Sequence, residues 1–377
     1  MASNPGVLAN GVRSRTVDSV NGLRMHLLEA GDAASPCVLL LHGFPEIAYS
    51  WRKILPKLAE AGYHAVAPDL RGYGRTATRR TAFDEDLAPY RMANRLLDVL
   101  SLVAALGRRQ VALVGHDYGS WVAGFCALAR PDVFTSLTLM SAPFAGGPSL
   151  ADLPSSLRIP IDDPIHTALA ALDRPRTHYH AYYATPSAAA DMDGPEHRVA
   201  TFLRAYFHHK SADWPHNAPH TLPGWTAEAL AEMPTYYVMD RNRTMPETVE
   251  PEMPIGEGAD CPWLTPAEIS VYAKEYARTG FQGALQGYRC QMDGSLARDL
   301  GLFAGRNVEV PVQFIAGRQD WGPFQGPGAL TRMQTVSCPR IEEFHLLEGA
   351  GHWVQQEQPD QVADLLIRFL RRKLPAA

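Results

Sequence analysis

The chain has 377 residues, enough for one large domain or for a core with an inserted second unit. Apolar residues make up 46% and charged residues 20%, an ordinary globular composition that excludes a disordered chain. A net charge of −5 without a long basic run gives no electrostatic support for binding nucleic acid or an anionic membrane.

Export and membrane insertion are also disfavoured. The N-terminal segment MASNPGVLANGVRSR lacks the apolar core of a secretory signal, and no apolar run reaches the roughly eighteen residues of a membrane helix. The cysteines form no CxxC pair and are odd in number: Cys37, Cys126, Cys261, Cys290 and Cys338. Reduced, buried thiols in a cytoplasmic protein are the simplest interpretation.

Short aliphatic runs alternate with helical patterns, which predicts a mainly parallel sheet covered by helices on both faces. The predicted strands are residues 37–43, 64–70, 111–117, 137–143 and 310–317. Helices are predicted over WRKILPKLAEAG and over RMANRLLDVLSLVAALG, where Leu96, Leu100 and Val103 share one face. A last unit, EEFHLLEGAGHW and PDQVADLLIRFLRRKL, predicts a strand, a loop and an amphipathic helix, with Pro359 in its first turn.

The pattern changes between about Phe144 and Leu300. Prolines are dense there, helix-like pieces such as PAEISVYAKEYARTG alternate with irregular stretches, and no clear buried strand is visible. We interpret this region as a mostly helical cap inserted after the strand LTLMSAP, with the sheet resuming at Val310. The predicted domains are a core over residues 1–145, a cap over residues 146–300 and the second part of the core over residues 301–377.

The stretch VALVGHDYGSWVAG runs from a predicted strand through a sharp turn into a predicted helix and places Asp117 at the tip of the turn. This is the pattern of a nucleophile elbow, which projects a side chain above an α/β sheet and usually carries serine. A carboxylate there is ionised at neutral pH and can attack carbon to give an ester. That ester must be hydrolysed, which requires a water-activating base, an acid to orient the base, and donors for an oxyanion.

The base and its acid follow from chain order in an α/β-hydrolase fold, which runs nucleophile, acid, histidine. The motif GAGHWVQQEQP places His352 in the loop after the last predicted strand, and FIAGRQDWG places Asp320 directly after the preceding one. The other position for the acid, after LTLMSAPF, has no carboxylate nearby. Taken singly, a half-buried loop histidine and an aspartate serving turn chemistry remain the alternatives.

The oxyanion donors are predicted in two turns. The motif HGFPE offers the backbone N–H of Phe44, and the elbow offers that of Tyr118. Gly43 permits a tight turn and Pro45 is suited to fix it, with a cis bond as one option.

Long segments of the chain resemble soluble epoxide hydrolases of the α/β-hydrolase fold. The resemblance lies in HGFPEIAYSWRKILPKLAEAGYHAVAPDLRGYGRT, GHDYGSWVA and GAGHWVQQEQP and extends over nearly all of the core. In that family two cap tyrosines hold the epoxide oxygen. The segment HYHAYYATP maps the first onto Tyr179, with Tyr182 and Tyr183 as weaker alternatives, and YARTGFQGALQGYR maps the second onto Tyr288. Core packing is the alternative role for any of these tyrosines.

Two departures from the family leave the substrate shape open. Tyr118 stands directly after Asp117, where the family often has tryptophan, and the segment of about residues 235–263 makes the cap long. The apolar cap suggests a small apolar epoxide, bound with Trp353 and Pro45 in the pocket, as the partner besides water.

The resemblance implies an epoxide hydrolase that makes vicinal diols through an ester on Asp117, with no cofactor. The histidines show no metal-ligand spacing such as HExxH. A haloalkane or haloacid dehalogenase with the same Asp–His–acid arrangement is the main alternative, and a ligand receptor on the same fold is a weaker one. Asp117 disfavours a serine-type esterase or lactonase. The particular epoxide, the regioselectivity and the oligomeric state, including a homo-oligomer, stay open.

Overall fold

The computed structural model describes residues 8–254 and 261–374. Residues 1–7 of the N-terminal segment and residues 255–260 of the long cap segment lie outside the described residues. Within the described ranges, every helix is too short or too polar to cross a bilayer.

The core is an eight-stranded sheet, mainly parallel as predicted. The strands of the described chain are β1 (Arg13–Val20), β2 (Leu23–Ala30), β3 (Cys37–Leu41), β4 (His64–Pro68), β5 (Val111–His116), β6 (Phe134–Met140), β7 (Arg176–His178), β8 (Val238–Asp240), β9 (Val312–Gly317) and β10 (Ile341–Leu347). The large sheet has the order β1-β2-β4-β3-β5-β6-β9-β10. Strands β3 to β6, β9 and β10 run parallel, so their carboxyl ends meet at one edge.

The antiparallel strands β1 and β2 were not anticipated from the sequence. In β1 only Val17 and Val20 are buried, because it is the edge strand and its sequence RSRTVDSV faces solvent along most of its length. Without a continuous apolar run or a clean alternation, such a strand carries little signal.

Helices cover both faces of the sheet. The core helices are α1 (Leu55–Glu60), α2 (Met92–Ala105), α3 (Tyr118–Ala129), α14 (Ala329–Arg332), α15 (Val354–Glu357) and α16 (Pro359–Lys373); the cap helices are α4 (Leu153–Ser156), α5 (Ile165–Ala170), α6 (Tyr179–Tyr183), α7 (Ala188–Met192), α8 (Glu196–His209), α9 (Ala227–Leu230), α10 (Met245–Val249), α11 (Pro266–Thr279), α12 (Gln282–Met292) and α13 (Ser295–Gly301). In α2, Val103 is buried, whereas Leu96 and Leu100, predicted to share its face, are half-buried. The face turned most fully inward includes Met92, Val99 and Leu102.

The insertion between β6 and β9 is mostly helical, but the expectation that it holds no buried strand is wrong. Strands β7 and β8 pair antiparallel in a small separate sheet. Each is only three residues long, too short for a periodic signal. This sheet ends directly before Tyr179, whose N–H donates to the carbonyl of Tyr237 at 2.9 Å. It therefore fixes the start of α6 over the sheet edge.

Candidate active site

Asp117 occupies a strained turn between β5 and α3. Its φ is +54° and its ψ is −123°, a conformation that side-chain-bearing residues adopt at a cost of order 1–3 kcal/mol. Two glycines permit the turn, because a Cβ on Gly115 would lie 2.3 Å from the Gly119 carbonyl oxygen and one on Gly119 would lie 2.3 Å from that of Leu41. The elbow predicted from sequence is thus present and holds the carboxylate at the carboxyl edge of the sheet.

The three predicted triad residues meet at this edge. The His352 Nδ1 lies 3.0 Å from the Asp320 Oδ1, and its Nε2 lies 3.3 Å from the Asp117 Oδ2. Asp320 follows β9 and also accepts the Gly322 N–H at 2.7 Å. The exposed fractions of Asp117, Asp320 and His352 are 7%, 1% and 1%. The arrangement is that of a nucleophile, a base and the acid that orients the base.

Both carboxyl groups stay ionised in this buried place. Burial acts to raise the pKa of Asp117, but the hydrogen bond and charge of His352, followed by the charges of Lys210 and His116, hold it well below its ordinary value. Burial likewise opposes ionisation of Asp320, and His352 together with the Gly322 N–H lowers its pKa. A carboxylate in this state can act as a nucleophile without a base that first removes its proton.

The predicted oxyanion donors flank Asp117. The Phe44 N–H donates to the Asp117 Oδ1 at 2.9 Å, and the Phe44–Pro45 peptide bond is cis. Tyr118 is the first residue of α3, so its N–H is one of the groups at a helix N-terminus that have no partner within the helix. Gly43 keeps the turn close, because a Cβ there would lie 2.3 Å from the Asp117 Oδ1.

The cap places the two predicted tyrosines opposite Asp117. Tyr179 and Tyr288 have ring centroids 6.0 Å apart and line one cavity with the carboxylate. The other lining residues are Tyr118, Trp121, Ala142, His180 and Gln325. Burial raises the pKa of both phenols well above the ordinary value, so both remain hydrogen-bond donors at neutral pH.

The hydroxyls of the tyrosines differ in their partners. Tyr179 donates to the Gln325 Oε1 at 2.9 Å, whereas the Tyr288 hydroxyl has no hydrogen bond to another described residue. The alternatives point elsewhere, since Tyr182 donates to Asp191 and Tyr183 to Tyr206.

Trp353 and Pro45, predicted as pocket residues, do not border this cavity. The Trp353 indole N–H donates to the Phe207 carbonyl at 2.8 Å, and its ring packs 4.6 Å from that of His352. The geometry gives Trp353 a supporting role behind His352, and Pro45 directly follows Phe44, whose N–H binds Asp117. A pocket role for either residue stays a prediction.

A buried ion pair behind the triad was missed at the sequence level. The His116 Nδ1 lies 2.6 Å from the Glu46 Oε2, and its Nε2 lies 2.7 Å from the His352 carbonyl oxygen. Since both ring nitrogens face acceptors, His116 is doubly protonated; burial opposes its charge, but Glu46 raises its pKa. The pair holds the backbone of His352. Glu46 lies in the motif HGFPE and His116 in the motif GHDYG, so the two motifs contained the sequence signal for this ion pair.

Two histidines lie near the cavity but do not form a metal site. His178 and His180 have ring centroids 4.9 Å apart, and burial lowers the pKa of His178 to about 3 and that of His180 well below its ordinary value. Both are therefore neutral. Across residues 8–254 and 261–374, no group of three or more potential ligand side chains is placed to hold a metal ion.

Known proteins are similar to this chain in both sequence and fold. A family model described as the alpha/beta hydrolase fold matches residues 36–165. Epoxide hydrolase A of Mycobacterium tuberculosis (strain ATCC 25618 / H37Rv) is 32% identical over 360 residues, covering 94% of this chain and 96% of that protein. The structure of an epoxide hydrolase from an endophytic Streptomyces aligns with a TM-score of 0.76 at 34% identity and covers 96% of each chain. Epoxide hydrolase A from Mycobacterium thermoresistibile gives 0.72 at 32% identity, covering 96% of this chain and 98% of that one. The resemblance seen in the motifs is thereby confirmed, and the chain belongs to the epoxide hydrolase family of the α/β-hydrolase fold.

Proposed function

We propose that this protein hydrolyses an epoxide to a vicinal diol through an ester on Asp117. The observation that carries the proposal is one buried cavity in which an ionised carboxylate faces two phenols. An epoxide oxygen leaves its carbon only when its developing charge is stabilised, and phenols donate hydrogen bonds to it without competing as nucleophiles. Asp117 attacks the ring carbon from the opposite side.

In the first half-reaction a bond forms between an Asp117 oxygen and the ring carbon, and the ring C–O bond breaks. The Asp117 Oδ1 is held by the Phe44 N–H, so Oδ2 is the oxygen that attacks. The ring oxygen takes a proton from one of the phenols, Tyr179 or Tyr288. The enzyme then carries the substrate as an ester.

In the second half-reaction His352 takes a proton from water, and the hydroxide adds to the ester carbonyl of Asp117. Asp320, 3.0 Å from the Nδ1, orients His352 and stabilises its charged form. The N–H groups of Phe44 and Tyr118 stabilise the oxyanion. The departing diol oxygen takes the proton from His352, and the remaining acid proton of Asp117 returns to the tyrosinate.

The dehalogenase alternative is not favoured. A halide leaving group needs donors such as a free indole N–H, but the Trp121 indole at this cavity donates to the Pro143 carbonyl at 3.2 Å. The phenols suit an oxygen leaving group instead. The proposal includes a small apolar epoxide as substrate, because Trp121 and the aromatic rings of the cap form much of the wall. It also includes a cytoplasmic location, since all five cysteines are buried thiols.

The ester is tested with His352→Gln, which removes the base of the second half-reaction only. We expect one turnover of styrene oxide, after which the protein carries the mass of one substrate on the peptide that contains Asp117. His345→Gln is the matched control, because His345 lies in β10 and contacts Glu343 outside the site. Direct attack of water on the epoxide predicts no adduct.

Isotope placement checks the same point in the unaltered enzyme. In a single turnover in ¹⁸O water, the new diol oxygen should be unlabelled because it comes from Asp117. The label should reach the diol only in later turnovers. Fully labelled diol in the first turnover, with no trapped ester, would contradict the proposed nucleophile.

A further inference from the structure

A buried lysine stands at the contact between the cap and the histidine loop. Lys210 directly follows α8, and only 2% of its surface is exposed. Its carbonyl accepts the His352 N–H at 2.9 Å. The contact is close, because a Cβ on Gly351 would lie 2.6 Å from the same carbonyl oxygen. The backbone of Lys210 therefore helps to position the base.

The Lys210 side chain ends in a cage of aromatic rings. Its Nζ lies 4.5 Å from the ring centroid of Tyr237, 5.3 Å from that of Tyr206, and 5.6 Å from those of Tyr236 and Trp353. The ammonium group itself has no hydrogen bond to another described residue. Aromatic faces stabilise an ammonium without neutralising it, so its charge remains available to act on neighbouring groups.

Without Lys210, the buried charged groups near the aromatic cage would leave an uncompensated negative charge. The Glu46–His116 ion pair is neutral as a unit. This leaves the carboxylates of Asp117 and Asp320, which are both ionised and whose negative charges favour the charged form of Lys210. Uncompensated buried charge is costly, and the ammonium supplies compensation.

We infer that Lys210 is an electrostatic positioning residue whose caged ammonium compensates Asp117 and Asp320 and stabilises the oxyanion that forms on Asp117 during ester hydrolysis. This inference rests on the proposed function. Lys210, Asp117 and Asp320 are all buried, so little bulk solvent screens the ammonium charge and it acts strongly on its neighbours. The largest effect falls on the second half-reaction, in which negative charge grows on the ester carbonyl oxygen.

The charge of Lys210 depends on pH in the mildly alkaline range. Burial lowers the pKa of Lys210 to about 8, an effect that Asp117, Asp320 and Glu46 partly oppose. Because the folded-state pKa lies below that of a free lysine, the charge is present below about pH 8 and is lost as the pH rises through that value. Ester hydrolysis should therefore slow on the alkaline side.

Other titrating groups surround the lysine and must be separated from it. Burial raises the pKa values of the caging phenols Tyr206, Tyr236 and Tyr237, which stay neutral near pH 8. Burial lowers the pKa values of His180 and His209, which are neutral there too. Burial also raises the pKa of Glu357 to about 8, and this carboxyl group accepts the N–H of Ala212 two residues beyond the lysine. A pH profile alone would confuse Glu357 with Lys210.

The experiment compares Lys210→Met, Lys210→Arg and Lys53→Met. Methionine fills the cage without a charge, and arginine keeps the charge to high pH. Lys53 is the matched control, because it also bridges cap and core but binds the carbonyls of Trp263 and Gln356. Rapid-quench measurements on styrene oxide from pH 6 to about 10 give ester formation and ester hydrolysis separately.

We expect Lys210→Met to slow ester hydrolysis about 10- to 100-fold at pH 7, the effect of a unit charge at an effective dielectric constant near 20. The decrease in rate near pH 8 should disappear in this variant and move to higher pH in Lys210→Arg. Lys53→Met should keep both the rate and the profile. Ester formation should change less than hydrolysis.

Each contrary result has a separate meaning. No turnover of any epoxide by the unaltered enzyme would refute the proposed function. A normal hydrolysis rate in Lys210→Met, or a slow variant that keeps the decrease near pH 8, would overturn the inference about Lys210. If thermal unfolding shows that Lys210→Met does not fold, Lys210→Gln replaces it. The unaltered enzyme also gives a direct test, because a rate of ester hydrolysis that does not decrease between about pH 7.5 and 9 overturns the inference.

Discussion

The two phenols should contribute unequally to opening the epoxide. The Tyr288 hydroxyl is free to donate, whereas Tyr179 must first give up its hydrogen bond to Gln325. Removing a preorganised donor costs about 2.7–4 kcal/mol, or 10²–10³ in rate, and a typical hydrogen bond is worth about 1 kcal/mol net. We therefore expect Tyr288→Phe to slow ester formation about 10²–10³-fold and Tyr179→Phe about 20- to 200-fold.

The assay is the single-turnover rate of ester formation, measured by rapid quench and mass of the Asp117 peptide. Tyr183→Phe is the control, because its ring lies 5.0 Å from that of Tyr288 but its hydroxyl donates to Tyr206. That variant should form ester at the normal rate. The double variant of Tyr179 and Tyr288 should be nearly inactive.

Three outcomes would refute this reasoning. Normal ester formation in the double variant would mean that other groups stabilise the epoxide oxygen. A loss in Tyr183→Phe as large as that in Tyr288→Phe would indicate packing, not hydrogen bonding. A larger loss for Tyr179 than for Tyr288 would show that the Gln325 contact aids the reaction instead of competing with it.

Two further substitutions test the second half-reaction and the oxyanion turn. Asp320→Asn keeps a hydrogen-bond acceptor near His352 but removes the charge, so the rate of ester hydrolysis should fall by about 10²–10⁴, with ester formation less affected. If burst experiments give the variant the same hydrolysis rate as the unaltered enzyme, another carboxylate orients the base. Gly43→Ala places a Cβ 2.3 Å from the Asp117 Oδ1 and should displace the Phe44 N–H, with a loss of about 10²-fold or more in activity. Unchanged activity together with an unchanged melting temperature would show that the turn yields easily.

Short sequence motifs predict much of the fold and of the candidate site. The elbow around Asp117, the turn at Phe44 and the loop of His352 are each contiguous runs of glycine, proline and polar residues, and their local conformations follow from those residues. Their chain order relates them to one fold, so the sheet and the predicted meeting of Asp117, Asp320 and His352 could be inferred before any distance was known. The buried parallel strands could also be predicted from local sequence, since each is a continuous apolar run.

Other features depend on contacts between segments far apart in the chain. The polar edge strand β1 and the three-residue strands β7 and β8 exist because neighbours supply their hydrogen bonds, and no local pattern marks them. Lys210 stands alone in RAYFHHKSADW; only the packing of Tyr237 and Trp353 around it makes it a caged cation. The difference between Tyr179 and Tyr288 likewise arises from Gln325, more than a hundred residues from Tyr179. A side chain's type is local, but its burial, partners and charge state are set by whichever distant residues the fold brings to it.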